Sequence, residues 1–139
     1  AFIGIGCSFS GKYFGGYARA GERNYALNAK NSLLRKHKTM EDVQFICGEY
    51  VDIFLPENSL IYCDIPYRGT TSYSTGHFDH ERFYACAKEW KDRGHTVLVS
   101  EYAGNVPDGW DVVWQHNSRK DIRNRNGEQE RTVEVLMCP

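Results

Sequence analysis

The residues best placed to do chemistry in this chain are Asp64-Ile65-Pro66-Tyr67. They follow Ser59-Leu60-Ile61-Tyr62-Cys63, a nearly continuous apolar run that reads as a buried parallel strand. In open α/β sheets, ligands bind just outside the carboxyl ends of such strands. An acid there offers a charged acceptor to an N–H group. Pro66 fixes φ and stiffens the turn, and Tyr67 supplies a flat ring that can stack. The same four residues also suit an ordinary strand end with an Asp-initiated turn, so the surrounding elements must decide.

Those elements are mostly strands and helices in alternation. Val43-Gln44-Phe45-Ile46-Cys47 reads as a short strand, and the run ending at Asp64 as the next. Phe83, Cys86, Ala87 and Trp90 recur at helical spacing, which predicts a helix from Asp79 to Arg93 with Asp79 as N-cap and Gly94 just past its end. His95 to Ser100 and Trp110 to Trp114 follow as strands. Arg131 to Met137 alternates as a last strand beyond a polar loop containing Asn126-Gly127. Strands alternating with helices imply a mostly parallel sheet, here with an antiparallel carboxyl-terminal hairpin strand. Upstream, residues 1–25 interleave glycines with aromatics and read as a loop-rich arm. A helix is expected over Ala26 to Lys38, with Leu27, Leu33 and Leu34 as its apolar stripe. The division is therefore an arm and helix at 1–42 and an α/β part at 43–139.

Ile61-Tyr62-Cys63-Asp64-Ile65-Pro66-Tyr67-Arg68-Gly69-Thr70-Thr71-Ser72-Tyr73 resembles the D-P-P-Y-x-G-T-x-x-Y block of DNA adenine-N6 methylases. Gly6 to Arg19 is similar to an arm of phage-type members. Val99-Ser100-Glu101-Tyr102, with Pro107 and Trp110 following, is similar to the strand and loop after the catalytic motif. Three blocks in the right order make the match specific. It implies a partial Rossmann-like class I methyltransferase sheet and transfer of a methyl group from S-adenosylmethionine to adenine N6 in DNA. The N6 lone pair is delocalised into the ring, so acceptors aimed at both N–H bonds are needed to favour a form that can attack. The resemblance gives these tasks to the Asp64 carboxylate and the Ile65 carbonyl, with Tyr67 stacking on a base flipped out of the duplex. Ile65 stands where the family has Pro. A backbone acceptor survives that change, but the turn is expected to loosen. Asp64 also lies beside the donor in the family, and Cys47-Gly48-Glu49-Tyr50 matches a strand end next to the donor's adenine. Glu49 and Tyr50 are thus candidate donor contacts, an exposed strand end being the alternative.

Phe2-Ile3-Gly4-Ile5-Gly6 spells the F-x-G-x-G of a donor-binding motif. Gly11, Gly15 and Gly16 break the helix it should open, and no acid follows at the expected distance. The likeness to the phage-type arm accounts for these residues better. The chain starts without Met inside an apolar segment, so an excerpt lacking the donor motif, and inactive by itself, is expected. The arm then reads as a DNA contact. Lys12, Arg19, Arg23, Lys30, Arg35 and Lys36 supply phosphate partners among Tyr13, Phe14, Tyr17 and Tyr25.

Charge fits that reading. Residues 1–38 carry seven Lys and Arg against Glu22 alone, a net +6, so with a total of -1 the remainder carries -7. Cys7, Cys47, Cys63, Cys86 and Cys138 form no C-x-x-C pair and no metal-ligand pattern with the five histidines, which fits reduced thiols in a cytoplasmic protein without a metal. There is no signal peptide and no apolar run of about 18 residues. The expected partners are duplex DNA, S-adenosylmethionine and, through an exposed sheet edge, another copy of the chain. Two other functions share these residues: a non-catalytic DNA-binding module, and a methyltransferase for cytosine N4 or for RNA. Ser commonly replaces Asp in cytosine enzymes, so Asp64 favours adenine.

Overall fold

The structure, a computed structural model, describes residues 2–8, 13–17, 21–70, 76–123 and 129–139, the side chains of 119–123 and 129–131 excepted. It divides into two compact units, Ala1–Cys47 and Gly48–Pro139.

In the second unit, β1 (Leu60–Asp64) is followed by α3 (His80–Asp92), β2 (Thr96–Tyr102), β3 (Asp111–Arg123) and β4 (Gln129–Cys138). The sheet order is β1-β2-β4-β3. β1 and β2 pair in parallel, with Asp64 opposite Ser100. β4 runs antiparallel to both of its neighbours. The expectation of a mostly parallel sheet is therefore corrected: the sheet is mixed. The reason is the position of the hairpin strand. β4 inserts between β2 and β3 instead of adding to an edge, so one reversed strand makes two of the pairings antiparallel.

The helix forms where the spacing predicts. Asp79 caps it, its carboxylate accepting from the Arg82 N–H at 3.0 Å, and Gly94 closes it with φ +92°. One face buries Phe83, Tyr84, Ala87 and Trp90 against Val97, Val99, Met137 and Trp110. Burying each large side chain is worth about 1.5–3 kcal/mol, so this packing carries most of the unit's core. Buried His95 ties the strand starts together. Its Nδ1 accepts from the Ser59 N–H at 3.2 Å, which places the ring proton on Nε2.

Two further expectations are corrected. Residues 43–47 form no strand: Phe45 and Ile46 are 76% and 67% exposed, and among the described residues no neighbouring strand offers them a ladder. β1 is not buried on both faces. Among the described residues it is an edge strand, whose Leu60 and Tyr62 stand 70% and 59% exposed, while Ile61 and Cys63 turn towards the core.

In the first unit, α1 (Phe2–Gly6) and α2 (Tyr25–His37) account for the regular structure among the described residues. The expected loop-rich arm thus contains a short helix. Its glycines serve close approach: a Cβ on Gly6 would lie 2.9 Å from that of Ala29, and one on Gly4 would strike the Tyr13 ring. α2 starts where Asn24 accepts from the Leu27 N–H. It buries no residue, and the Leu27, Leu33 and Leu34 stripe is exposed.

Candidate active site

β1 delivers Asp64 to the sheet's end as an exposed carboxylate. Buried Ser100, its partner on β2, donates to Asp64 Oδ1 at 3.1 Å, and the Tyr62 hydroxyl donates in turn to Ser100 Oγ at 3.3 Å. The serine fixes one carboxylate oxygen. The other is engaged by nothing among the described residues.

Ile65 then turns inwards. It is 8% exposed and belongs to the core cluster. The turn expected to loosen without the family's first proline is instead anchored by a buried β-branched side chain, which exchanges a φ restraint for burial. The Pro66 carbonyl receives a hydrogen bond from His80 Nε2 at 2.8 Å. A carbonyl can only accept, so Nε2 carries a proton. The Tyr67 ring meets that of Tyr102 edge-on at 4.8 Å. Burial holds its phenol above the ordinary tyrosine pKa, against a smaller opposing pull from the Ser100 hydroxyl. Tyr67 is thus a neutral, partly covered ring at neutral pH.

After Tyr67 the chain turns sharply. Thr70 donates through its N–H and its hydroxyl to the Tyr67 carbonyl, at 3.1 and 2.7 Å, and Gly69 takes φ +83°. Arg68 pairs with Glu81 at 2.7 Å and lies over the Tyr84 ring. Both ion-pair partners are exposed, so the pair adds little. The stronger tie is Glu101, which is fully buried and accepts from the Arg68 N–H at 2.9 Å.

Glu49 and Tyr50 come to the same end of the sheet. A cleft of about 790 Å³ runs from them to Pro66, Tyr67 and Arg68. A smaller apolar cavity of about 290 Å³ lies between Tyr50, Leu55, Ile61 and Phe83, with Asp64 on its wall. Tyr50 starts a single 3-10 turn (Tyr50–Asp52) and packs edge-on against Phe83 and Trp90, with Arg82 over its ring. Burial raises its phenol pKa, partly offset by Arg82. Glu49 is exposed. The sequence-derived candidates Asp64, Ile65, Pro66, Tyr67, Glu49 and Tyr50 are therefore neighbours.

The candidate DNA contacts are less convergent. Lys12 and Arg19 lie outside the described residues. Arg23, Lys30, Arg35 and Lys36 are exposed, the last three on α2. At about 100° per residue, Lys30, Arg35 and Lys36 point to three different sides of that helix. Arg35 and Lys36 also sit in its last turn, where cations are favoured.

Three residues to which the sequence assigns no role also enter the site: His80, and Arg68 and Tyr102 from two of the three blocks that carry the resemblance. Nothing in the type or spacing of His80 signals its role. Glu101 closes its strand in the sequence, and its hydrogen bond from the Arg68 N–H ties that strand end to the loop. Its signal in the sequence is an acid closing an apolar strand run. Among the described residues no cluster of His, Cys, Asp or Glu could hold a metal, and no helix is long and apolar enough to cross a membrane.

No curated protein and no solved structure matches the chain. A family model does, over residues 7–125, which include the Asp64–Tyr67 turn, β2, all of β3 and the arm from Cys7 onwards. With most of its length matched, the chain belongs to the D12 class N6 adenine-specific DNA methyltransferase family.

Proposed function

We propose that this protein methylates adenine N6 in DNA, with Asp64-Ile65-Pro66-Tyr67 as the clamp on the target base. The observation that carries this reading is the Asp64 carboxylate: one oxygen is held by Ser100, the other has no partner among the described residues, and the partly covered Tyr67 ring lies three residues away in the same turn. Asp64 accepts one N6–H and the Ile65 carbonyl the other, drawing the nitrogen lone pair out of the ring. The product nitrogen is cationic until it loses a proton, and the nearby carboxylate stabilises that charge. Tyr67 stacks on the extruded base, which cannot react inside the duplex. His80 and Glu101 keep the turn from drifting, and holding reacting groups in position is most of the remaining catalysis.

S-adenosylmethionine supplies an electrophilic methyl group when bound. The residues at hand suit it: the apolar cavity beside Tyr50 fits a flat ring, and Asp64 on its wall suits a cation. Glu49, Tyr50 and Asp64 are the residues that would hold it. The mixed sheet, with its single reversed strand, is compatible with a class I, Rossmann-like arrangement. Arg23, Lys30, Arg35 and Lys36, with Lys12 and Arg19, are the cations on offer to the phosphates, and of Lys30, Arg35 and Lys36 only those on one side of α2 would meet the same duplex.

Mass spectrometry of nucleosides from DNA treated with the full-length protein and S-adenosylmethionine tests the reaction. The expected product is N6-methyladenosine in its deoxy form. N4-methylcytosine in its place would overturn the adenine assignment, and methylated RNA alone would overturn the substrate.

A further inference from the structure

Among the described residues the acid at the end of β2 makes no ion pair, yet it is fully buried. Buried charges cost free energy unless donors surround them. Glu101 is surrounded. Oε2 accepts from the Arg68 N–H at 2.9 Å, and Oε1 accepts from the Tyr102 N–H at 2.7 Å and from Asn105 Nδ2 at 3.1 Å. The same Asn105 amide reaches the Arg68 carbonyl at 3.0 Å. An apolar side chain at this place would stabilise the core at lower cost, so the acid's value lies in what its oxygens hold. Two of its three donors are backbone groups, one immediately after Tyr67 and the other that of Tyr102 itself. One carboxylate thereby fixes the peptide that follows Tyr67 and the backbone of the ring standing edge-on to it.

We infer that Glu101 is a positioning residue of the base clamp, setting the place of Tyr67 through the Arg68 N–H and that of Tyr102 through its own, with Asn105 bracing the same loop from the outside. This rests on the reading of Asp64–Tyr67 as the clamp. Glu101 touches neither base nor donor. It acts by keeping the turn between β1 and α3 against the end of β2. Displacements of about 1 Å at such a distance from the reacting atoms can reduce rates ~100-fold. Glutamine is the informative replacement. It has the same shape, but one of its two ends carries N–H bonds, and both carboxylate oxygens of Glu101 face donors. Either orientation of the amide sets N–H against N–H.

The test uses the full-length protein with duplex DNA and S-adenosylmethionine, comparing kcat, the KM for DNA and the melting temperature. Glu101→Gln is expected to lower kcat roughly 100-fold with little change in KM, the pattern of an interaction needed in the transition state. Asn105→Asp keeps the shape of a partly exposed side chain but replaces its donor by an acceptor facing Glu101. It should lower kcat about 10-fold and, because Asn105 is only partly buried, lower the melting temperature less than Glu101→Gln does. That second variant decides the matter should Glu101→Gln fail to fold. Wild-type kcat in a folded Glu101→Gln, wild-type kcat in Asn105→Asp, or a loss confined to KM would overturn the inference. Asp64→Ala separates it from the reading beneath it. Activity in Asp64→Ala removes the clamp assignment. A dead Asp64→Ala beside fully active Glu101→Gln and Asn105→Asp removes the positioning role alone.

Discussion

α2 and α3 are each 13 residues long, and each is capped by a side-chain oxygen that accepts from the backbone three residues on. α3 buries four residues and carries its unit's core; α2 buries none. The difference lies in what each meets. α3 is laid on a sheet by the crossover from β1 to β2, so its apolar face has Val97, Val99 and Met137 opposite. In the other unit, the approach of Gly6 to Ala29 turns the side of α2 away from Leu27 and Leu34 towards α1. At about 100° per residue, Leu27 and Leu34 lie well round the helix from Ala29, while Leu33, four residues on, stays within about 40° of it. Amphipathic spacing shows that a helix can bury a face; a partner decides whether it does.

The largest expected effect breaks or upholds that contrast directly. Phe83→Ala on α3 should cost ~3–5 kcal/mol in urea unfolding, the range for truncating a large aromatic in a packed core. Leu34→Ala on α2 should stay within about 0.5 kcal/mol, as at other surface positions. Comparable losses at both would show that the α2 stripe is buried in solution and would end the comparison.

Cysteine chemistry sharpens it. Burial pushes the Cys63 thiol up to about 11, and burial also raises Cys86. Cys47, in the other unit, is exposed. The thiolate is the reactive form, and at pH 8 only on the order of one Cys63 in a thousand is ionised. Iodoacetamide followed by peptide mass spectrometry should therefore label Cys47 well before Cys63 or Cys86. The raised pKa also has a stability sign. The folded state favours the protonated thiol, so the Cys63 contribution is intact below pH 9.0 and is lost as pH rises towards about 11. A melting temperature that falls over that window, and falls less in Cys63→Ala, is the expected outcome.

The smallest effects concern the cations. Replacing Lys30, Arg35 or Lys36 by Ala should reduce the slope of log affinity against log salt by about 0.9 for each phosphate thereby left unneutralised, with no change in sequence preference. Because the three point to different sides of α2, a single face of DNA would not meet them all. Three equal reductions would contradict a regular α2 laid on one duplex.

The sequence makes the candidate clamp and its scaffold legible for a physical reason. Asp79, Gly94 and the spacing of Phe83, Ala87 and Trp90 are local signals, and the local geometry obeys them. Asp64 follows an apolar strand, and strand ends place ligands. What stays hidden depends on pairing partners. Residues 43–47 have the composition of a strand but, among the described residues, no neighbour to complete a ladder. β3 continues through polar Gln115–Arg123 because β4 pairs with it along that length, which hydropathy cannot reveal. The order β1-β2-β4-β3 is likewise set by which edge the hairpin enters. His80 makes a hydrogen bond to a residue 14 positions away in the chain, so neither type nor spacing announces it; Glu101 reaches back 33 positions, and only its place as an acid closing an apolar strand run hints at it.

The central claim is that Asp64 acts on the base as a carboxylate, through the oxygen that Ser100 leaves open. Asp64→Asn keeps the size of the side chain and can still meet Ser100, but it loses the negative charge. In single-turnover methyl transfer by the full-length protein on duplex DNA, the rate should fall at least ~100-fold, as when other pre-organised transition-state interactions are removed, with DNA affinity and melting temperature unchanged. A wild-type rate in a folded Asp64→Asn protein would contradict the account.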